Sequence, residues 1–368
     1  MKRIELLLVS SLLIAALLNY NVEICTAAPS AEGLEITEIG QLETAGWAAY
    51  VHVEGDIAYV SASDAGLYIV NISDSENPTE LGRYNESIDH IHEIYVDGNL
   101  VYAADYTEGL KILNVSDAEN PTLVGEFDDG GEVGAFEIYE DLAFLADFAD
   151  GLEIVNITDP ANPQELVQYD TDISYIFNVE VNNDLAYVSD FVSASEKALR
   201  ILDISNLSSI EEIAEYTIDG EIFSIDFVGD VAYMMCSYGG VKVFNVSNPN
   251  SLVEIGNYYD GGNAVGSEFF GDYIIVADRN DGLEALTTGD PTDITEIGHY
   301  FDGGSATNLD VADDLVLVAD GEDGLEILQV EIVTDTGDSS FLITAVIVTA
   351  SAIAVLGIVL FVRYRKQW

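Results

Sequence analysis

Acidic side chains in glycine-bearing loops are the chemistry this chain repeats most often. Asp105, Asp147, Asp190, Asp278 and Asp320 recur at matched positions, and a second set lies in Asp128-Asp129-Gly130-Gly131, Asp260-Gly261-Gly262 and Asp302-Gly303-Gly304. Such carboxylates are hard oxygen donors suited to Ca²⁺, which takes about six to eight oxygens. Asp129, Asp260 and Asp302 are therefore the calcium candidates, and calcium is the only cofactor this reading admits. The competing assignment is structural, with aspartate accepting N–H groups in its own turn and glycine supplying positive φ. Recurrence at matched positions favours the structural assignment, and none of the loops has the dense acidic alternation of a calcium loop.

Other reactive groupings are sparse. Lys197 and Arg200 sit together in the copy that departs most from its neighbours. His90 and His92 share one strand face but lack further ligands for a metal, and His52 and His299 stand singly. The chain contains no G-x-S-x-G elbow, phosphate loop, H-E-x-x-H or Cys–His pair. Paired carboxylates leave glycan hydrolysis as the one enzymatic chemistry open; the expectation is a non-enzyme.

A repeated element must position these residues. A small residue and an apolar one open a strand at Gly66-Leu67, Gly109-Leu110, Gly151-Leu152, Ala198-Leu199, Gly240-Val241, Gly282-Leu283 and Gly324-Leu325, in steps of 43, 42, 47, 42, 42 and 42 residues. The copy from Ala135 to Tyr169 splits into four apolar runs, with Glu140-Asp141 between the first two and a Pro- and Asx-rich turn after the third. A period in the low forties with four strands per period marks a β-propeller, one blade per repeat. Aromatics in the fourth runs (Tyr84, Phe127, Tyr169, Tyr216, Tyr258, Tyr300) are expected to pack between blades. The seventh copy stops after its third strand, while Leu34 to Leu42 matches the fourth-strand segment Thr295 to Tyr300. The predicted fold is therefore all-β: a seven-bladed propeller of four-stranded antiparallel blades, closed by its N-terminal strand. Blade 4 is expected to carry a longer loop from Asp190 to Lys197.

The third strands resemble the LVIVD repeat, whose blades read like GLRIVDISDPxxP. The matching segments are LYIVNISD (67–74), LKILNVSD (110–117), LEIVNITD (152–159) and LRILDISN (199–206); the later copies drift to VKVFNVSN, LEALTTGD and LEILQVEI. The resemblance implies a propeller of microbial cell surfaces and brings no common reaction with it.

The ends imply a location. Residues 1–27, with Lys2 and Arg3 before an apolar run, read as a signal peptide. The propeller takes 34–331 and a linker 332–340; the 22 uncharged residues 341–362 are long enough for a transmembrane helix, and the basic tail 363–368 is then cytoplasmic. The expectation is a single-pass cell-membrane protein with its propeller outside. Cleavage leaves one cysteine, Cys236, expected to be small and buried. Net charge is −56, and the exterior alone carries about −59. This excludes a nucleic-acid partner, favours high-salt surroundings and attracts cations. Sequons at Asn71, Asn85, Asn114, Asn156, Asn206 and Asn245 are candidate glycosylation sites, although N-I-S-D is also how the repeat writes its turn.

Propellers place the loops after strands two and four on one face. The candidate binding face is thus Asp105, Asp128, Asp129, Asp147, Asp190, Lys197, Arg200, Asp260, Asp278, Asp302 and Asp320. The third strand of blade 7 must leave on the opposite side, which turns this face away from the membrane. The expected function is monomeric, non-enzymatic binding or adhesion to protein, glycan or envelope material. The alternatives are a surface glycan hydrolase and a scaffold subunit of an envelope assembly. A specific site is expected where the repeat falters: Ala62, Asp190 to Ala198, and Cys236.

Overall fold

Alternating apolar residues and two-residue turns fold each repeat into a four-stranded meander. In the computed structural model, residues 33–86, 88–169, 175–193, 196–279 and 281–333 are described. They form seven four-stranded sheets; blades 1 to 6 span 50–84, 91–127, 135–169, 176–218, 224–258 and 266–300. Blade 7 takes Asn308–Ala312, Leu315–Ala319 and Leu325–Val333 from the C-terminal side, and Gly33–Leu42 lies alongside Leu325–Val333 as its outer strand. The ring is thereby closed by the segment the sequence indicated, and no blade is left with three strands. The innermost strands of successive blades pack on one another, with Tyr50–Glu54 meeting Asn308–Ala312 across the closure.

The turn chemistry explains the regularity. Gly55, Gly98, Glu140, Asn183, Gly229, Gly271 and Asp313 all have φ between 56° and 62°. This left-handed conformation matches the twist of a two-residue hairpin. The third-strand glycine answers a different demand: at Gly109 φ is 73°, and a Cβ would overlap the Phe127 carbonyl of the neighbouring strand. Apolar clusters are shared between adjacent blades. One joins Tyr187, Leu199 and Ile201 of blade 4 to Ile225, Met234, Cys236 and Phe244 of blade 5. At that boundary the Tyr216 hydroxyl donates to Pro249 O (3.0 Å) and accepts from Leu252 N–H (3.0 Å), so the fourth-strand aromatic does bridge blades.

Two features depart from the sequence reading. Residues 190–193 and 196–197 extend the ladder, where the sequence reading had a loop. Strand two of blade 4 runs Leu185–Ser193, strand three runs Glu196–Asp203, and Ser193 pairs with Glu196. That pairing satisfies backbone groups in the added stretch. In addition, blades 1 to 6 carry a register shift between strands three and four, as at Ile154/Val155 and Ile112/Leu113. Such a bulge sharpens twist toward the blade's rim, and apolar periodicity gave no sign of it. The predicted signal peptide, transmembrane span and tail lie outside the described residues. Among the described residues, no helix is long and apolar enough to cross a membrane.

Candidate functional site

The recurrent aspartates are clamps. Asp105, Asp147, Asp190, Asp278 and Asp320 are buried, and each holds the loop that enters its own blade. Asp105 accepts from His90 N–H (2.7 Å) and Asp89 N–H (3.0 Å), Asp147 from Glu132 N–H (2.7 Å), Asp190 from Tyr175 N–H (3.1 Å), and Asp278 from Asn263 N–H. Asp320 receives Ser305 N–H in the same way. Where the sequence places Ala62 instead, Tyr68 takes over, its hydroxyl accepting Ala45 N–H at 2.7 Å. The donors therefore come from the incoming loop, and not from the aspartate's own turn.

Across the sheet, on the same face, stands the residue two past each third-strand opening. In blades 2 and 4 it is a cation beside the strand-two aspartate, and in blade 5, where Cys236 replaces that aspartate, it is Lys242. Lys111, fully buried, lies 3.7 Å from Asp105 and 3.6 Å from Glu126. Arg200 reaches Asp190, Glu212 and Glu215, each at 2.8 Å. In blades 3, 6 and 7 the same position holds Glu153, Glu284 and Glu326, all buried. Asp129, Asp147 and Glu153 bring ligand oxygens within 4.8 Å of one another, as do Asp260, Asp278 and Glu284, and likewise Asp302, Asp320 and Asp323. Burial, then the neighbouring carboxylates, push Glu153, Glu284 and Glu326 up to about 9. The loop aspartates named as calcium candidates thus do converge with buried acids, and the glutamates were not singled out in the sequence.

A second set of acids lines the central channel, a cavity of about 580 Å³. Glu137, Glu180, Asp226, Glu268 and Asp310, with His52, occupy the position three residues before each inner hairpin turn, and Glu93 serves blade 2 from two residues earlier on the same strand face. Some stitch neighbouring blades: Glu93 accepts Phe136 N–H (2.9 Å) and Asp310 accepts Val53 N–H (2.6 Å). Burial raises Glu93 to about 7, Asp226 to about 6 and, with its acidic neighbours, Glu268 to about 8. Burial raises both Glu137 and Glu180, reinforced by Glu93 at the first and by Glu137 and Glu93 at the second.

These folded-state values lie above the unfolded ones, so between the two the native state binds more protons and stability falls as pH rises. At low ionic strength Tm is therefore expected to drop by about 5 °C or more between about pH 5 and pH 8. Glu180→Gln with Glu268→Gln should flatten that slope. A Tm that rises over this interval in the wild-type protein would contradict it.

The mouth of the channel is asymmetric. The residue after each strand-two aspartate position is Tyr106, Phe148 and Phe191 in blades 2 to 4, but Ser63, Ser237, Arg279 and Gly321 in the others. Around the first three runs a continuous aromatic arc. His90 contacts His92 (4.8 Å between centroids), His92 contacts Tyr106 (5.5 Å), Tyr106 contacts Phe148 (5.5 Å), and Phe148 contacts Tyr175 (4.5 Å) and Phe177 (5.6 Å). Phe177 then meets Phe191 and Phe223. Cations cap both branches, with Lys197 Nζ 3.0 Å from the Phe191 centroid and Arg279 5.3 Å from that of Phe223. Loops on the same face expose Trp47 (42%), Tyr238 (72%), Tyr259 (58%) and Phe301 (52%).

With this geometry established, comparison with known proteins is direct. The LVIVD repeat model matches residues 45–86, 90–129, 130–171 and 176–218, one match on each of blades 1 to 4. Blades 1 to 4 of this seven-bladed propeller are LVIVD repeats. No curated protein matches it. Among solved structures it is similar to the β-propeller domain of Myceliophteria thermophila Cps50 (Swd1), with a TM-score of 0.63 at 14% identity, and to the computationally designed Ika8 protein, with a TM-score of 0.57 at 12% identity. Each likeness covers 80% of this chain and 99% of the other, and at such identities it speaks for the fold alone. Fold and repeat together describe a binding or scaffold module.

In this propeller the remaining sequence candidates fall as follows. Asp128 Oδ1 accepts Gly130 N–H (2.8 Å) and Asp302 Oδ1 accepts Gly304 N–H (3.1 Å) in exposed turns. Lys197 pairs with Glu221 (3.3 Å) beside the aromatic arc, whereas Arg200 is turned inward. Asn71, Asn114, Asn156, Asn206 and Asn245 each accept the N–H two residues on, between 2.8 and 3.2 Å, and Asp203 does the same in blade 4. The turn thus needs an Asx acceptor whether or not a sequon results; Asn85 lies exposed after the fourth strand of blade 1. His52 lies 3.9 Å from Asp310 in the channel, and His299 3.6 Å from Glu296 on an outer strand. Ala62 and Cys236 are wholly buried. The arc was missed because its members alternate with residues of the repeat and become neighbours only around the ring; the signal available was the run Tyr106, Phe148, Phe191 against Ser, Ser, Arg and Gly.

Proposed function

We propose that this propeller is a non-enzymatic recognition module, tethered to a cell membrane through residues 341–362, whose aromatic, acidic face binds polysaccharide outside the cell. The observation that carries this is the aromatic arc at the channel mouth. Aromatic faces offer a large contact area at low entropy cost, and a concave mouth with a few convergent polar groups is the usual form of a ligand site. The carboxylates of the channel supply acceptors for hydroxyl and amino groups. A net charge of −56 repels polyanions, so the ligand is a neutral or amine-bearing glycan.

Trp47 lies at this mouth, and the only other tryptophan is Trp368, so indole emission reports on the site. Titration of the full chain with neutral and amine-bearing oligosaccharides is expected to shift that emission. Phe177→Ala and Phe223→Ala are each expected to weaken binding about 10- to 100-fold while leaving the circular dichroism spectrum unchanged. Binding that is unaffected by both variants, or confined to acidic glycans, would overturn the reading.

A second reading has its own observation. The channel holds carboxyl groups shifted toward the range of a general acid, next to others available as base or nucleophile. Release of new reducing ends from a bound glycan, abolished by Glu180→Gln, would establish a hydrolase in place of a binding module.

A further inference from the structure

Buried carboxylates need a counter-charge, and the blades of this propeller meet the need in two ways. Blades 2 and 4 supply a cation from the chain itself, Lys111 beside Asp105 and Arg200 against Asp190. Blades 3 and 6 put a glutamate where that cation stands, and blade 7 does so with Glu326. Glu153 and Glu284 gather with two further carboxylates each, ligand oxygens within 4.8 Å, and beside Glu326 the same closeness joins Asp302, Asp320 and Asp323. Like charges do not collect in a buried pocket unless something neutralises them.

The hydrogen bonding gives an independent indication. Glu153 is 0% exposed and no N–H group donates to either of its carboxylate oxygens, which face only the Asp129 carboxyl; Glu284 Oε1, Glu326 Oε1, Asp147 Oδ2 and Asp320 Oδ1 are likewise buried without a donor. Buried polar atoms are bonded almost without exception, and an orphaned one calls for an ion, a water or a role. The cross-strand neighbours of Glu153 and Glu284 are Gln168 and His299, where Lys111 and Arg200 face Glu126 and Glu215. The fourth-strand acid that faces the cation in blades 2 and 4 is therefore absent where blades 3 and 6 carry a third-strand glutamate. The loops conform as well: a Cβ at Gly131, Gly262 or Gly304 would overlap the Asp147, Asp278 or Asp320 carboxylate, so glycine lets the backbone close over each cluster.

We propose that blades 3, 6 and 7 each bind one calcium ion, held by Asp129, Asp147 and Glu153 in blade 3, by Asp260, Asp278 and Glu284 in blade 6, and by Asp302, Asp320 and Asp323 beside Glu326 in blade 7. The donors are all oxygen, and each set mixes a buried strand carboxylate with an exposed loop carboxylate through which the ion reaches the site. Such a flexible, carboxylate-rich set suits Ca²⁺ better than Mg²⁺, which demands tight octahedral geometry and retains its water. The ions would lock the entering loops to their blades, a role independent of the polysaccharide reading.

Calorimetric titration of chelator-stripped full-length protein with CaCl₂ is expected to give three equivalents, and Tm should rise by about 10 °C or more at a hundredfold excess over the dissociation constant. Glu153→Lys, which rebuilds the blade 2 arrangement, should fold and retain two equivalents. The triple variant Glu153→Lys, Glu284→Lys, Glu326→Lys should bind none and melt at one temperature with or without calcium. Should Glu153→Lys fail to fold, Asp129→Asn on the exposed loop reads the same loss, as blade 3 affinity reduced at least tenfold. Folded wild-type protein that takes up no calcium at about 1 mM, or variants that keep all three equivalents, would overturn the proposal. Equal competition by Mg²⁺ would overturn the assignment to calcium.

Discussion

A chain lacking Gly33–Leu42 is expected to lose about 5 kcal/mol or more of stability and to self-associate. That segment is the outer strand of blade 7, paired with Leu325–Val333. Leu34 is buried, and Ile39 and Leu42 pack against the cluster shared by blades 1 and 7. Withdrawing two to three such side chains costs roughly 1.5–3 kcal/mol each before the lost ladder is considered. Domains hold only about 5–15 kcal/mol in all. Leu325–Val333 would then present an unpaired edge, which templates association with other chains. Thermal melts with size-exclusion chromatography measure both effects. A synthetic peptide of the 33–42 sequence, added in trans, should restore monomer and Tm by filling the vacant edge. A truncated chain that stays monomeric with Tm within about 2 °C of the full protein would show that closure contributes little.

Arg200→Ala is expected to destabilise the protein by about 3–5 kcal/mol, the usual cost of removing one member of a buried ion network. Arg200 is 7% exposed, and its guanidinium meets Asp190, Glu212 and Glu215, each at 2.8 Å. Without it, three carboxylates share a site with no cation in blade 4's strand-three position. Arg200→Lys should recover less than half of the loss, since an ammonium lacks the planar fork that reaches three partners. Urea denaturation midpoints provide the measurement, and a cost below about 1 kcal/mol for Arg200→Ala would show the network to be dispensable. The result bears on function, because Arg200 was read from sequence as part of an outward binding face. Its geometry makes it a strut inside blade 4, while Lys197, three residues earlier, lies against Phe191 of the aromatic arc.

Most of the fold was legible because a propeller writes each blade in local terms. Two-residue turns need residues that tolerate positive φ, and the pairs at Gly55-Asp56 through Asp313-Asp314 announce them. The third-strand glycines mark where a backbone carbonyl comes too close for a Cβ. The match between Leu34 to Leu42 and the other fourth strands even located the closing segment. The site was less legible. The strand-two aspartates were visible as a repeated residue, but their work on the incoming loop depends on contacts about 15 positions away in the chain. Glu153, Glu284 and Glu326 were hidden among 67 acidic residues, since nothing local separates a buried glutamate from a solvated one.

The sequence by itself therefore determined the number of blades, their strand order, the way the ring closes and the strongly acidic character of the protein, because those follow from period, turn chemistry and composition. Only the tertiary structure decided which acids meet. Strand pairing sets Glu153 on the same sheet face as Asp147, and the return of the chain after each fourth strand carries Asp129 to both. Packing of successive blades places Tyr106, Phe148, Phe177 and Phe223 side by side although they come from four different blades. Glycine-bearing acidic loops looked in sequence like frame with an occasional ion; burial and the missing hydrogen-bond partners are what separate the two, and burial is a property of the assembled ring.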